Sequence, residues 1–218
     1  MRVRFISKGS VKSFKEDDKE SADLFLFGFN GGGEVSYERE LKGESDFFER
    51  VALLSKSRQS IVVSGCITDT RGHKRKSAVV AERGRLLGVS DMLHVIDGAW
   101  GSGANLSVYT TKKGRMGVLV GEDLYFPEAV HTLALCGSDF IVCPFGTFSS
   151  SLLSAYVRTY SHAYGTPIYF CADGYGMLAA RGELVIASPS SPFFASLEQR
   201  KEYHLIETRR RGTFHVGG

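Results

Sequence analysis

No apolar run in this sequence exceeds the length of a strand, so it offers no segment able to cross a bilayer as a helix. Met1-Arg2-Val3-Arg4 opens on charge, without the apolar region of a secretory leader. Cysteine is sparse. Cys66, Cys136, Cys143 and Cys171 stand in or beside apolar runs with no CxxC pair, as expected of buried free thiols in a reducing compartment. Neither these cysteines nor the 6 histidines show the spacing of metal ligands. An excess of one charge is missing too: 27 basic against 24 acidic residues leave +3, too little to draw in a nucleic acid. No internal repeat or low-complexity tract is present. A cytoplasmic protein without membrane, nucleic-acid, metal or cofactor dependence is the expectation.

At 218 residues and 43% hydrophobic, the chain can bury a large core, and a single domain over 1–218 is expected. Its most informative stretch is Gly117 to Pro144. Val118-Leu119-Val120 and Phe140-Ile141-Val142 are unalternated apolar runs bounded by Gly and Pro, the pattern of strands covered on both faces. Between them Pro127 suits a first helical turn, and Glu128 favours the positive end of the helix. Val130, Leu133, Ala134 and Ala129 form an apolar stripe, and Gly137 supplies a left-handed stop. Strand, helix, strand follows, with Gly121 to Asp123 at the sheet rim where α/β proteins hold ligands.

Elsewhere the same signals recur. Strands are expected at Val3 to Ile6, Ala22 to Phe27, Ser60 to Thr68, Ser77 to Val80, Thr166 to Ala172, Arg181 to Pro189 and Tyr203 to Glu207. Helices are expected at Asp46 to Ser55, with Phe47, Phe48, Val51, Leu53 and Leu54 apolar, and at Leu152 to Ala163. Gly31-Gly32-Gly33 reads as a loop, and no Lys-Ser/Thr follows to make it a phosphate cradle. Thr70 to Lys76 reads as a basic, solvated hairpin tip, and Arg209-Arg210-Arg211 as a solvated tail.

Asp123, Phe126-Pro127-Glu128, Leu133-Ala134, Gly137-Ser138-Asp139 and Pro144, in that order, resemble the nucleophile region of the carbon-nitrogen hydrolase (nitrilase/amidase) superfamily. The likeness extends to Ala22-Asp23-Leu24, to the strand before Ser90-Asp91-Met92-Leu93-His94, where His94 matches, and to Arg158. It implies a four-layer α-β-β-α sandwich with two mixed β-sheets, dimerised through helices near the active site. The fifteen residues from Ser7 to Ser21, rich in Lys, Ser, Asp and Glu, imply that the family's long first helix is missing or shrunk to a turn or two, so that something else must cover that sheet face, and a shortened C-terminal arm is expected as well.

The resemblance also exposes what has been replaced. The family's general base falls at Phe29, its oxyanion-stabilising lysine at Met92, a second acid near Trp100, and its nucleophilic cysteine at Gly121. A phenyl ring moves no proton, a thioether is no cation, and glycine has nothing with which to attack a carbonyl or nitrile carbon. The expected function is therefore that of a homologue without hydrolysis and without catalytic residues. It would act by ligand or subunit binding, as a homodimer, as a heteromer with an active relative, or on a small amide or carboxylate.

Phe29, Met92, His94, Trp100, Gly121, Glu122, Asp123 and Cys143 would line the remnant pocket. Its apolar members suit a plug of the old site as well as a ligand wall. The alternative is an active hydrolase of non-peptide carbon-nitrogen bonds using Cys143, with Glu122 or Asp123 as a displaced acid. Asp123 also suits hydrogen bonding to backbone.

Overall fold

The computed structural model describes residues 1–14, 20–148 and 151–198. The two apolar runs around residues 118 and 141 are fully buried and extended side by side. The strand β8 (Gly114–Val118) pairs in parallel with β9 (Phe140–Thr147), placing Met116 opposite Phe140 and Val118 opposite Val142. A helix joins them, as a parallel pair requires. That helix, α3 (Pro127–Leu135), has Pro127 at its start, Glu128 in its first turn, and Gly137 at φ +79 two residues beyond it. Ala129, Val130 and Leu133 are its buried face.

β8 and β9 belong to a six-stranded sheet completed by β7 (Ser107–Thr111), β10 (Ile168–Asp173), β11 (Tyr175–Ala180) and β12 (Glu183–Ser188), in the order β12-β11-β10-β9-β8-β7. The other sheet runs in the order β13-β1-β2-β4-β5-β6. Its strands are β13 (Phe193–Ser196), β1 (Arg2–Ile6), β2 (Leu24–Phe27), β4 (Ile61–Thr70), β5 (His73–Glu82) and β6 (Arg85–Asp91), with β3 (Glu34–Ser36) beside β4. Both sheets mix parallel and antiparallel pairs.

Alternation along each strand builds the layers. Val3, Phe5, Leu24, Leu26, Val118, Phe140, Val142 and Tyr169 meet between the sheets. Their neighbours Leu119, Ile141, Cys143 and Phe170 face outward against α3 and α4 (Leu152–Ala163). Phe25, Phe27, Val62 and Val79 face α2 (Phe47–Arg58). The result is the expected α-β-β-α sandwich of two mixed sheets.

Four sequence expectations need correction. The helix at 47–58 outlasts its expected end at Ser55, and its Leu53 is 52% exposed, because the buried face passes through Phe47, Val51 and Leu54. The segment Phe29–Gly31 is a 3-10 turn, with close packing in the glycine run: a Cβ on Gly31 would lie 2.3 Å from Ser64 Oγ, and one on Gly32 2.5 Å from Phe47. Cys136 is exposed just past α3, whereas the other cysteines are buried. The basic hairpin tip is shorter than read, turning at Arg71-Gly72 so that β5 begins at His73.

The face without a long first helix is covered by Val11 and Phe14. The Phe14 ring packs edge-on to Phe25 and Phe27, with centroids 5.7 and 5.9 Å away, and the Arg4 and Arg58 guanidiniums lie 5.2 and 5.4 Å from its centre. The expected strand at Tyr203 to Glu207 and the arginine tail lie outside the described residues.

Candidate functional site at the Gly121 elbow

Beyond β8 the backbone stays extended through Val120 and then enters a 3-10 turn, Gly121–Tyr125. Gly121 sits at φ +55, a left-handed conformation that residues with a Cβ adopt only under strain. Phe126 returns to extended backbone, as the residue before Pro127 must. This strand-to-helix elbow would present a side chain at position 121 toward the gap between the sheets. A Cβ there would meet Met92 Sδ at 3.3 Å, Lys76 Cδ at 3.6 Å and Phe29 Cε2 at 3.6 Å. Phe29, Met92 and Gly121, far apart in sequence, thus converge. Met92 is 1% and Phe29 8% exposed.

Lys76 was not among the residues singled out in the sequence. It lies on β5 opposite Ile67, and its ammonium forms a direct ion pair with the Glu122 carboxylate. That ammonium also lies 5.2 Å from the centroid of the Trp100 ring, within cation–π range. The signal that finds it is parity. Ala78 and Val80 face the gap between the sheets, and a strand returns to the same face every second residue, so Lys76 points there too. A cation therefore reaches the elbow from β5, while the position expected to supply one holds Met92.

Asp123 is wholly buried. Its carboxylate accepts the backbone N–H of Leu93 at 3.0 Å and that of His94 at 2.8 Å, and His94 Nδ1 lies 2.9 Å away. Burial pushes this carboxyl above the ordinary aspartate range, with the His94 and Leu93 hydrogen bonds opposing the shift. The His94 ring stacks on Phe126 at 4.2 Å, and its Nε2 is 4.0 Å from Glu128. Asp123 thereby holds the segment carrying Met92 against the elbow. The Trp100 loop is held from the other side, where Gly101 donates to Lys74 O and Gly103 to Met92 O, at 2.8 and 2.7 Å.

Cys143 is placed differently from the other expected pocket residues. Val142 points between the sheets, so Cys143 points to the helix side, in the cluster with Leu119, Leu124 and Phe170. It does not pack with Phe29 and Met92. Its thiol is fully buried, and burial pushes its pKa well above that of a free thiol. Among the described residues no group of three or more His, Cys, Asp or Glu side chains could hold a metal ion, and no helix is long and apolar enough to cross a membrane.

Solved structures share this architecture. A mutant amidase from Nesterenkonia sp., in which acrylamide has added to the active-site cysteine, superposes with a TM-score of 0.77 at 14% identity, covering 97% of each chain. A carbon-nitrogen hydrolase from Helicobacter pylori gives 0.70 at 17% identity, over 89% of this chain and 87% of that one. Saccharomyces cerevisiae Nit3, a nitrilase-superfamily protein, gives 0.71 at 15% identity, over 99% and 95%. The chain has the nitrilase-superfamily fold. No protein-family model matches the sequence, and no curated protein matches it either.

Proposed function

We propose that this chain is a nitrilase-superfamily protein that has given up hydrolysis of carbon-nitrogen bonds and acts by binding, as a homodimer or beside an active relative in the cytoplasm. One observation carries the reading: the elbow that presents a cysteine in the resembled family presents glycine here, facing Met92, Phe29 and the stem of Lys76. Covalent catalysis needs a nucleophile at that point and a base within hydrogen-bond reach of it. Neither glycine nor the phenyl ring supplies them. The alternative nucleophile, Cys143, lies among Leu119, Leu124 and Phe170, where its thiolate is disfavoured.

The test is ammonia release by the purified chain from a panel of aliphatic amides and nitriles. The expected rate is that of buffer. Turnover that disappears in Cys143→Ser or Lys76→Met would overturn the proposal.

A further inference from the structure

Two hairpin turns and the last turn of α2 meet at the end of the sandwich opposite the Gly121 elbow. β5 spans the distance: Lys76, near its start, pairs at the elbow, and the strand ends at Glu82, where the chain turns through Arg83-Gly84 into β6. Gly84 donates its N–H to Ser55 Oγ of α2 at 2.8 Å, and a Cβ on Gly84 would lie 3.1 Å from the Lys56 stem. The turn from β7 to β8 is tied to the same place, because the Lys112 N–H donates to Glu82 Oε1 at 3.0 Å. Lys56, Arg83, Arg85 and Lys112 are thereby gathered, and all are exposed. None of them forms an ion pair among the described residues, whereas Lys74, Lys76 and Lys113 are paired with Glu34, Glu122 and Asp23. Glu82, between the turns, offsets only part of their charge. Two leucines border the cations. Leu53, one turn before Lys56 on α2, is 52% exposed; Leu86, next to Arg85 and opposite Ala81 of the α2-facing layer, is 40% exposed.

We propose that this basic end is a docking surface for an acidic segment of a partner protein that also carries apolar side chains. Charge complementarity sets the sign, since like charges held together repel and carboxylates brought among them relieve that repulsion. The two leucines set the second requirement, because an apolar side chain laid on each removes its surface from water. The charge of the whole chain selects a short peptide over a bilayer or a nucleic acid. Those polyanions are attracted by charge spread over a wide face, and this chain carries only +3 in all, with Glu122 and Glu128 at its other end. The surface is separate from the elbow, so it stands whether or not hydrolysis has been lost.

The experiment is fluorescence anisotropy of a labelled peptide of alternating glutamate and leucine, titrated with the full chain at low salt. It should bind saturably with a Kd of about 100 μM or tighter, and about tenfold more tightly than the same peptide with serine in place of glutamate. Added salt should weaken binding, as contacts between exposed charges are screened. Arg85→Glu combined with Lys112→Glu should weaken it about tenfold or more, while Arg71→Glu, at the other end of β5, should leave it within about twofold. Weaker or unsaturable binding of the acidic peptide would overturn the proposal, and so would equal binding of the serine peptide. Tighter binding of phosphatidylserine vesicles or of an oligothymidine strand would overturn it in favour of a membrane or a nucleic acid. These ligand comparisons use the unaltered chain, so a variant that fails to fold leaves the test intact.

Discussion

At Gly121 the backbone keeps the left-handed kink that a strand-to-helix elbow requires, and glycine removes the roughly 1–2 kcal/mol of strain that a larger residue would meet at φ +55. Where a nucleophile is needed, that strain is tolerated because the structure around it holds the residue in place. The cysteines make the complementary point. Cys66, Cys143 and Cys171 are buried with thiols raised by desolvation, while Cys136 is open to solvent. A thiol reagent added to the native protein at mildly alkaline pH should therefore label Cys136 alone, and all 4 cysteines in denaturant. Peptide mapping checks this; rapid native labelling of Cys143 would revive it as a nucleophile.

Among the elements, the segment from Ser7 to Phe14 does the work of a helix with turns. Phe14 is half-buried, yet its ring covers Phe25 and Phe27 where the sheet has no helix above it. Phe14→Ala should lower the unfolding free energy by roughly 2 kcal/mol in urea, since it uncovers apolar surface on two strands as well as removing its own. A loss below about 0.5 kcal/mol would mean that this face is covered by something else. The βαβ unit from β8 through α3 to β9 was legible because each of its signals is local: Pro127 starts the helix, Gly137 stops it, and the flanking strands are apolar throughout. The close packing of Gly31 and Gly32 against Ser64 and Phe47 was not legible, because such contacts leave no trace in neighbouring letters.

For the whole molecule, polar side chains link the sheets at both ends of the sandwich. Asp123, at the rim of one sheet, receives hydrogen bonds from Leu93 and His94 just past the end of β6 in the other, and Lys76 and Glu122 pair across the same gap. Lys113 reaches Asp23 at 2.8 Å, and Asn30 donates its backbone N–H to Asp173 at 3.0 Å. The Asp123 link gives stability a pH dependence. Its carboxyl is raised in the folded chain, so its contribution is fully present below the unfolded value of 3.8 and is lost as pH rises through the folded value. The stability advantage of the unaltered chain over Asp123→Asn should therefore shrink from about pH 4 to pH 7 in urea unfolding. His94, which faces Asp123, and Glu128, on the far side of the His94 ring, are common to both chains. An advantage that grows with pH would show that the three hydrogen bonds outweigh desolvation.

Local pattern is enough to establish the alternation of strands and helices, because it depends on residue identity and near neighbours, while the α-β-β-α layering was expected from the resemblance and is the architecture found. The partner of Glu122 and the direction of Cys143 depend on how two sheets stack. Lys76 reads as solvent-exposed in a basic run until β5 is known to begin at His73, which turns its side chain inward beside the elbow. Cys143 ends a strand near the same rim, yet pleating sends it to the helix side. Which face a side chain occupies follows from strand register, and register is set by pairing between segments distant in the chain.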